Sequence, residues 1–436
     1  MSKTQMLYNK AKKIIPGGTQ LLSKRPEIFL PGQWPAYYSK AKGCKVWDLD
    51  GREYIDTSLM GVGANILGYA DEDVDNAVQE AVLCGSMCTL NAPEEVELAE
   101  SMLELHPWAE QVRYAKTGGE SLAIAIRIAR AAAGKDIVLF CGYHGWSDWY
   151  IAANLGDNKA LDGQHIEGLS TMGIPEGLKN TVIPFRYNDI QGYDELVRIY
   201  HGQIAAVIME PIRNYYPDYG FLQHIREQTE RENVILIMDE VSSGFRLCCG
   251  GAHKVLGVEP DMAVFAKAFS NGYPMAAVIG KRNIMEIAQE TFISSTYWTE
   301  RTGLSAAIAT IKKYRLYHVE KHLENIGKQV QAGWKKLASK NDLNVVVSGI
   351  YPMSHLEFEY KDPLAAKTLF TQEMLKRGYL ASNAFYASFA HSDQDVDGYL
   401  KAADESFAII KEGIEEDKIY ELLEGDVCQS GFQKLT

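Results

Sequence analysis

Residues 234–240 read VILIMDE and residues 262–267 read MAVFAK. Each is an apolar run closed by charge: Asp239 and Glu240 end the first, Lys267 the second. Runs this uniformly apolar predict strands buried on both faces, as in a parallel sheet covered by helices. With the two starting runs taken as Val234–Glu240 and Met262–Ala266, the further candidate strands are Ile137–Cys141, Thr181–Pro184, Ala205–Glu210 and Met275–Gly280. Amphipathic stretches at Glu120–Ala133, Ile190–Tyr200, Gly220–Glu232 and Gly303–Tyr314 predict helices among and after them. The alternation implies an α/β fold with a mostly parallel central sheet. Ligands of such sheets bind beyond the carboxyl ends of the strands, which brings Glu210, Asp239 and Lys267 forward as candidates.

The flanks read differently. Residues 1–60 predict a helix, an irregular Pro/Gly-rich stretch and a hairpin in which Lys45–Leu49 and Glu53–Thr57 flank the turn signal Asp50–Gly51. From residue 316 a long charged helix (His318–Ser339) precedes strands near Asn344–Gly349 and His355–Tyr360 and helices at Pro363–Arg377 and Asp395–Glu415. The expected organisation is a large domain over 61–315 and a smaller α+β domain over 316–436, to which residues 1–60 contribute. The last twenty residues are weakly patterned and are expected to be loosely held.

Composition excludes several classes. The chain has 436 residues, 46% of them hydrophobic, enough for a large core and more than one domain. A net charge of −13 disfavours a nucleic-acid binder, which needs a basic face. The N-terminus lacks an apolar signal core, and no apolar run is long enough for a membrane span. Seven scattered cysteines without a CxxC pair fit reduced thiols in a cytoplasmic protein, not a disulfide framework or a metal site.

Four motifs carry chemistry only together. Tyr114–Ser121 (YAKTGGES) is a turn into a helix, where Gly118 and Gly119 let backbone amides approach a phosphate. Alone it is more often a plain glycine turn. Tyr143-His144-Gly145 follows an apolar run and offers an aromatic face to a planar group. Asp239 at a strand end needs a cation or donor, such as a protonated pyridinium nitrogen. Lys267, alone most simply a snorkelling lysine, becomes a nucleophile toward aldehydes when partly desolvated. A phosphate cradle, a stacking face, a carboxylate and a lysine are the parts that pyridoxal-phosphate (PLP) chemistry requires.

The sequence resembles the fold-type I PLP enzymes, and within them the class III aminotransferases of the glutamate-1-semialdehyde aminomutase-like branch. The resemblance runs from about Tyr8 to Ile414 and rests on IIPGGTQ, VWDLDGREYID, YAKTGGESLAIAIRIAR, GYHGWSD, AAVIMEP, DEVSSGFR, PDMAVFAKAFSNGYPMAAVIG and SSTYWTERTG. It implies that Lys267 holds PLP as a Schiff base and moves the substrate proton. Asp239 would pair with the ring nitrogen, Gly118 and Gly119 hold the phosphate, Tyr143 stack on the ring and Val241 pack on its other face. Thr296 would reach the phosphate of a neighbouring subunit in a homodimer with shared active sites. His144, Glu210 and Ser270 would line the pocket.

Departures from the aminomutase pattern bear on the substrate. After Pro-Gly-Gly the aminomutases carry Val-Asn-Ser-Pro-Val-Arg, whereas this chain has TQLLSK, so Leu21 and Lys24 stand where Ser and Arg serve the substrate carboxylate. Arg25 could replace the lost Arg. Asn383 stands at a Glu position, and Trp298-Thr-Glu300-Arg301 replaces Ser-Gly-Asn-Pro. The combination of GGTQLLSKRPE, LPGQWPAYYSKAKG and SSTYWTER resembles a sugar-associated subgroup, the transaminases forming 8-amino-3,8-dideoxy-manno-octulosonate for lipopolysaccharide. That resemblance implies L-glutamate as donor, 2-oxoglutarate as its product and an aldehyde sugar acid as acceptor. The aminomutase reaction, an aminotransferase for another sugar aldehyde or ketone, and a non-catalytic scaffold with the PLP-enzyme fold remain as alternatives.

Overall fold

Seven strands form the central sheet of residues 72–320, in the spatial order Gln111–Ala115, Ala276–Gly280, Met262–Phe265, Ile235–Asp239, Ile204–Met209, Ile137–Cys141, Val182–Pro184. The computed structural model describes residues 2–157, 159–164, 166–212 and 215–433. The five strands from Met262–Phe265 to Val182–Pro184 run parallel. Ala276–Gly280 lies antiparallel to both of its neighbours. The sheet is therefore mixed at one edge and parallel through its centre. The Gln111–Ala115 strand is not visible as an apolar run because it is partly exposed and carries Gln111 and Arg113.

One sheet face is covered by the helix Gly118–Ala133, whose Leu122, Ile126 and Ala129 join Phe140, Ile208, Ile237, Val264 and Val278 in a buried cluster. The helix starts where Thr117 and Glu120 form a capping box and stops at Gly134, whose φ of 61° is left-handed. Six of the seven strands point their carboxyl ends the same way, so Lys116, Gly142, Glu210, Glu240 and Ala266 follow them along one edge.

The second unit comprises residues up to Asp71 together with Lys321 onward. Its hairpin strands Lys45–Asp48 and Glu53–Asp56 share a sheet with Tyr38–Lys42 and, in parallel, with Tyr379–Leu380. A separate antiparallel sheet contains Val345–Ile350, Met353–Phe358 and Ala384–Tyr386. Up to Gln433, beyond which the last three residues lie outside the described ones, the C-terminal stretch is better held than its weak pattern implies. The Cys428 amide donates to Thr368 Oγ1 at 3.0 Å and the Gln429 amide to the Glu27 carbonyl at 2.7 Å. Bonds donated by backbone amides leave no periodic signature in the segment's own side chains. Among the described residues no helix is long and apolar enough to cross a membrane.

The helix Val319–Lys340 crosses the loop at Tyr351 so closely that a Cβ on Gly327 would lie 1.8 Å from the Tyr351 carbonyl oxygen. Backbone cannot yield as a side chain can. Gly327→Ala should therefore destabilise this unit by about 1–3 kcal/mol despite alanine's better helix propensity. Gly333→Ala, which meets only the flexible end of Leu400, should cost less. Denaturant unfolding of both variants against the parent measures the difference.

Candidate active site

Alternation along the Ile235–Asp239 strand and its continuation sends Asp239 and Glu240 to opposite faces of the sheet. Asp239 is 2% exposed and lies on the face covered by the Gly118–Ala133 helix. Its Oδ2 meets His144 Nδ1 at 2.7 Å, and its Oδ1 accepts from the Val241 amide at 2.9 Å. His144 Nε2 donates to the Cys141 carbonyl at 3.1 Å, so the imidazole is oriented between two acceptors. Trp149 stacks against it, with 6.2 Å between ring centroids.

The other expected residues converge here. A Cβ on Gly118 would lie 3.0 Å from Val241 Cγ1 and 3.7 Å from Ala266 Cβ. A Cβ on Gly119 would lie 3.2 Å from Trp146 Nε1. Thr117 Oγ1 caps the Glu120 amide, and the amides of Gly118 and Gly119 have no intrahelical acceptor. The Tyr143 amide donates to Glu210 Oε2 at 3.1 Å. Gly142 must be glycine twice over: its φ is +109°, and a Cβ would stand 2.5 Å from Glu210 Oε2. Lys267 opens a short turn after Met262–Phe265 with φ +55°, a strained conformation for a residue with a Cβ. Its Nζ donates to Ser242 Oγ at 2.8 Å.

This donor set fits pyridoxal phosphate: glycines that a Cβ would crowd, at a helix N-terminus, beside a buried carboxylate and a lysine amine. A cavity of about 670 Å³ opens next to Gly142 and Glu210, with Lys159, Gln164, Arg186 and Tyr215 in its wall.

Two expectations change. Ser270 is fully buried and its hydroxyl donates to the Tyr273 carbonyl, so it closes the turn after Lys267 instead of facing a pocket. Thr296, whose expected role lies toward a second copy, sits exposed on a short turn, Thr296–Thr299. Glu300 is used internally. It accepts from the Thr302 amide at 2.8 Å and from Lys116 Nζ at 3.0 Å. Burial pushes its pKa up, but these donors outweigh burial and hold it below the usual carboxylate range. Arg301 pairs with Glu94, and Trp298 Nε1 reaches Glu120 Oε1 at 3.5 Å. The 298–301 run thus braces the turn that carries the glycines.

Residues 31–384 match the family Aminotransferase class-III. The chain belongs to it. The aminotransferase is 31% identical over 426 residues to a 3-aminobutyryl-CoA aminotransferase of Cloacimonas acidaminovorans, covering 94% of this chain and 98% of that one. It is 33% identical over 422 residues to a glutamate-1-semialdehyde 2,1-aminomutase of Aquifex aeolicus, covering 92% and 98%. Among solved structures it is similar to the FumI protein of Sphingopyxis sp. MTA144 in its PLP internal aldimine form. That match has a TM-score of 0.85 and 26% identity, and covers 95% of this chain and 97% of that one. The chain is therefore a PLP-dependent transaminase with a fold-type I architecture.

Sequence reasoning missed the network behind Asp239. Glu240 is fully buried and accepts from His253 Nδ1 at 2.8 Å, the His253 amide at 2.9 Å and Ser243 Oγ at 2.5 Å. Burial pushes its pKa up, yet those donors win and it lies below the usual range. Trp108 Nε1 donates to His253 Nε2, and the Gly251 amide to His106 Nε2. The acid at 240 was legible in sequence, but His106, Trp108 and His253 are too far from it along the chain to be linked by spacing.

Burial holds the His106 pKa down at about 3. In the unfolded chain histidine titrates near ~6.5, so below that pH only the unfolded state takes up the proton. The folded state should therefore lose about 1.4 kcal/mol per pH unit through this group as pH falls from ~6.5 toward ~3. His106→Leu should be less stable at neutral pH but show a shallower acid slope in unfolding measured across that range.

Proposed function

We propose that this aminotransferase moves the amino group of L-glutamate to the C8 aldehyde of an oxidised 3-deoxy-manno-octulosonate, releasing 2-oxoglutarate and 8-amino-3,8-dideoxy-manno-octulosonate. The observation that carries the amino-transfer reading is the Lys267 amine beside the buried Asp239–His144 pair and the Gly118–Gly119 cradle. Pyridoxal phosphate supplies the electron sink that makes the proton on an amine-bearing carbon removable. Lys267 anchors it and then carries that proton on Nζ. Asp239, oriented by His144 and the Val241 amide, keeps the ring nitrogen protonated. Gly118 and Gly119 amides would hold the phosphate and Tyr143 and Val241 would flank the ring, while Glu210 accepts from the Tyr143 amide and so fixes its backbone.

The acceptor reading rests on the resemblance of GGTQLLSKRPE, LPGQWPAYYSKAKG and SSTYWTER to the octulosonate transaminases, while Leu21 and Lys24, which replace the groups serving the aminomutase carboxylate, weigh against the aminomutase. Thr296 serves the phosphate of a second copy. The exposed Phe292 and Tyr297 beside it supply apolar surface for such a homodimer. The competing reading is the aminomutase, whose sequences match along nearly the whole chain.

Enzyme mixed with L-glutamate should release one 2-oxoglutarate per site and lose its PLP absorbance. The octulosonate aldehyde should then restore that absorbance faster than glutamate-1-semialdehyde or 3-oxobutyryl-CoA does. No response to glutamate removes the donor assignment, and preferential turnover of glutamate-1-semialdehyde without a donor establishes the aminomutase instead. Lys267→Ala should abolish turnover. Asp239→Asn should fold but lose roughly two to three orders of magnitude in kcat, the scale of removing one preorganised charge from a site.

A further inference from the structure

The lysine amine has a partner that the amino-transfer reading does not use. Lys267 Nζ donates to Ser242 Oγ at 2.8 Å. Ser242 lies between two residues that are each tied to a buried carboxylate. The Val241 amide donates to Asp239 and the Ser243 hydroxyl to Glu240. Its own carbonyl accepts from Arg246 Nε at 3.2 Å. The backbone that carries this hydroxyl is thus fixed on both sides, while Ser243, its neighbour, is committed to Glu240.

We propose that Ser242 holds the Lys267 amine whenever it is released from its covalent link, and aims it during proton transfer. A hydroxyl suits that task. It has lone pairs to accept from an ammonium and a rotatable proton to donate to a neutral amine, so it serves the lysine before and after the proton moves. A carboxylate in its place would favour the ammonium and oppose the base, and a methyl would offer no partner. The left-handed backbone at Lys267 brings its side chain out of a short turn, and the hydroxyl limits the directions open to the amine. The inference rests on the lysine's role in PLP chemistry and not on the identity of donor or acceptor.

The test uses holoenzyme reconstituted with pyridoxamine phosphate, in which Lys267 is an unlinked amine whichever donor is natural. Its labelling by trinitrobenzenesulfonate is followed by peptide mass spectrometry in wild type, Ser242→Ala and Ser242→Thr. The alanine variant should label about fivefold faster, the factor that one lost hydrogen bond is worth, and the threonine variant should stay near wild type. In turnover with an α-deuterated amine donor, Ser242→Ala should lower kcat by about tenfold with KM little changed and raise the isotope effect, as when proton transfer becomes slower. Labelling of Ser242→Ala at the wild-type rate, or of Ser242→Thr at the alanine rate, overturns the proposal.

Discussion

Two adjacent carboxylates at the end of one buried strand constrain everything around them. Asp239 and Glu240 are 2% and 0% exposed. A bare carboxylate there would carry a desolvation penalty of several kcal/mol, so each must be met by donors. Because neighbouring strand residues face opposite ways, the donors come from opposite sides of the sheet. On one side His144 and the Val241 amide answer Asp239. On the other, His253 and Ser243 answer Glu240, and Trp108 and His106 extend that network. The 241–243 segment is held from both faces, and it carries Val241 against Gly118 and Ser242 against Lys267.

The parallel strands were legible because burial on both faces leaves an unbroken apolar run; Ile137–Cys141 matches the sequence expectation residue for residue. Gln111–Ala115 was not, because an edge strand is free to carry polar side chains. The reversed direction of Ala276–Gly280 is equally invisible, since an apolar run does not encode its orientation. For the site, strand ends located Asp239, Glu210 and Lys267, and glycine spacing located Gly118 and Gly119. The partners that orient them did not follow from local pattern. His144 could be placed near a pocket but not against Asp239, and nothing in the spacing of Ser242 and Lys267 joins them. Those contacts depend on strand order, which brings Ile235–Asp239 beside Met262–Phe265.

Glu300 shows the opposite error. A residue that departs from a relative's pattern invites a substrate role, yet its carboxylate is already satisfied by Lys116 and Thr302. Satisfaction matters because a carboxylate with three donors gains little by exchanging one of them for a ligand. What the 298–301 run does is hold the turn before Gly118 through Lys116 and Glu120. Its effect on a bound phosphate is therefore indirect, through the aim of two backbone amides.

The strain at Lys267 follows from the same economy of position. A left-handed residue with a Cβ costs on the order of 1–2 kcal/mol, and it persists only where its surroundings over-determine it. Here the preceding strand is paired on both sides, and the turn after it is closed by Ser270 on the Tyr273 carbonyl. Tyr273 is in turn anchored by its hydroxyl to Asp75 at 2.9 Å. An extended backbone at Lys267 would prolong the strand and carry the amine past Ser242. The turn instead stops the chain one residue beyond Ala266, whose Cβ lies against the space above Gly118. The glycine cradle, the carboxylate and the amine can share one site because the strand carrying the lysine ends abruptly, and that ending requires the unfavourable φ.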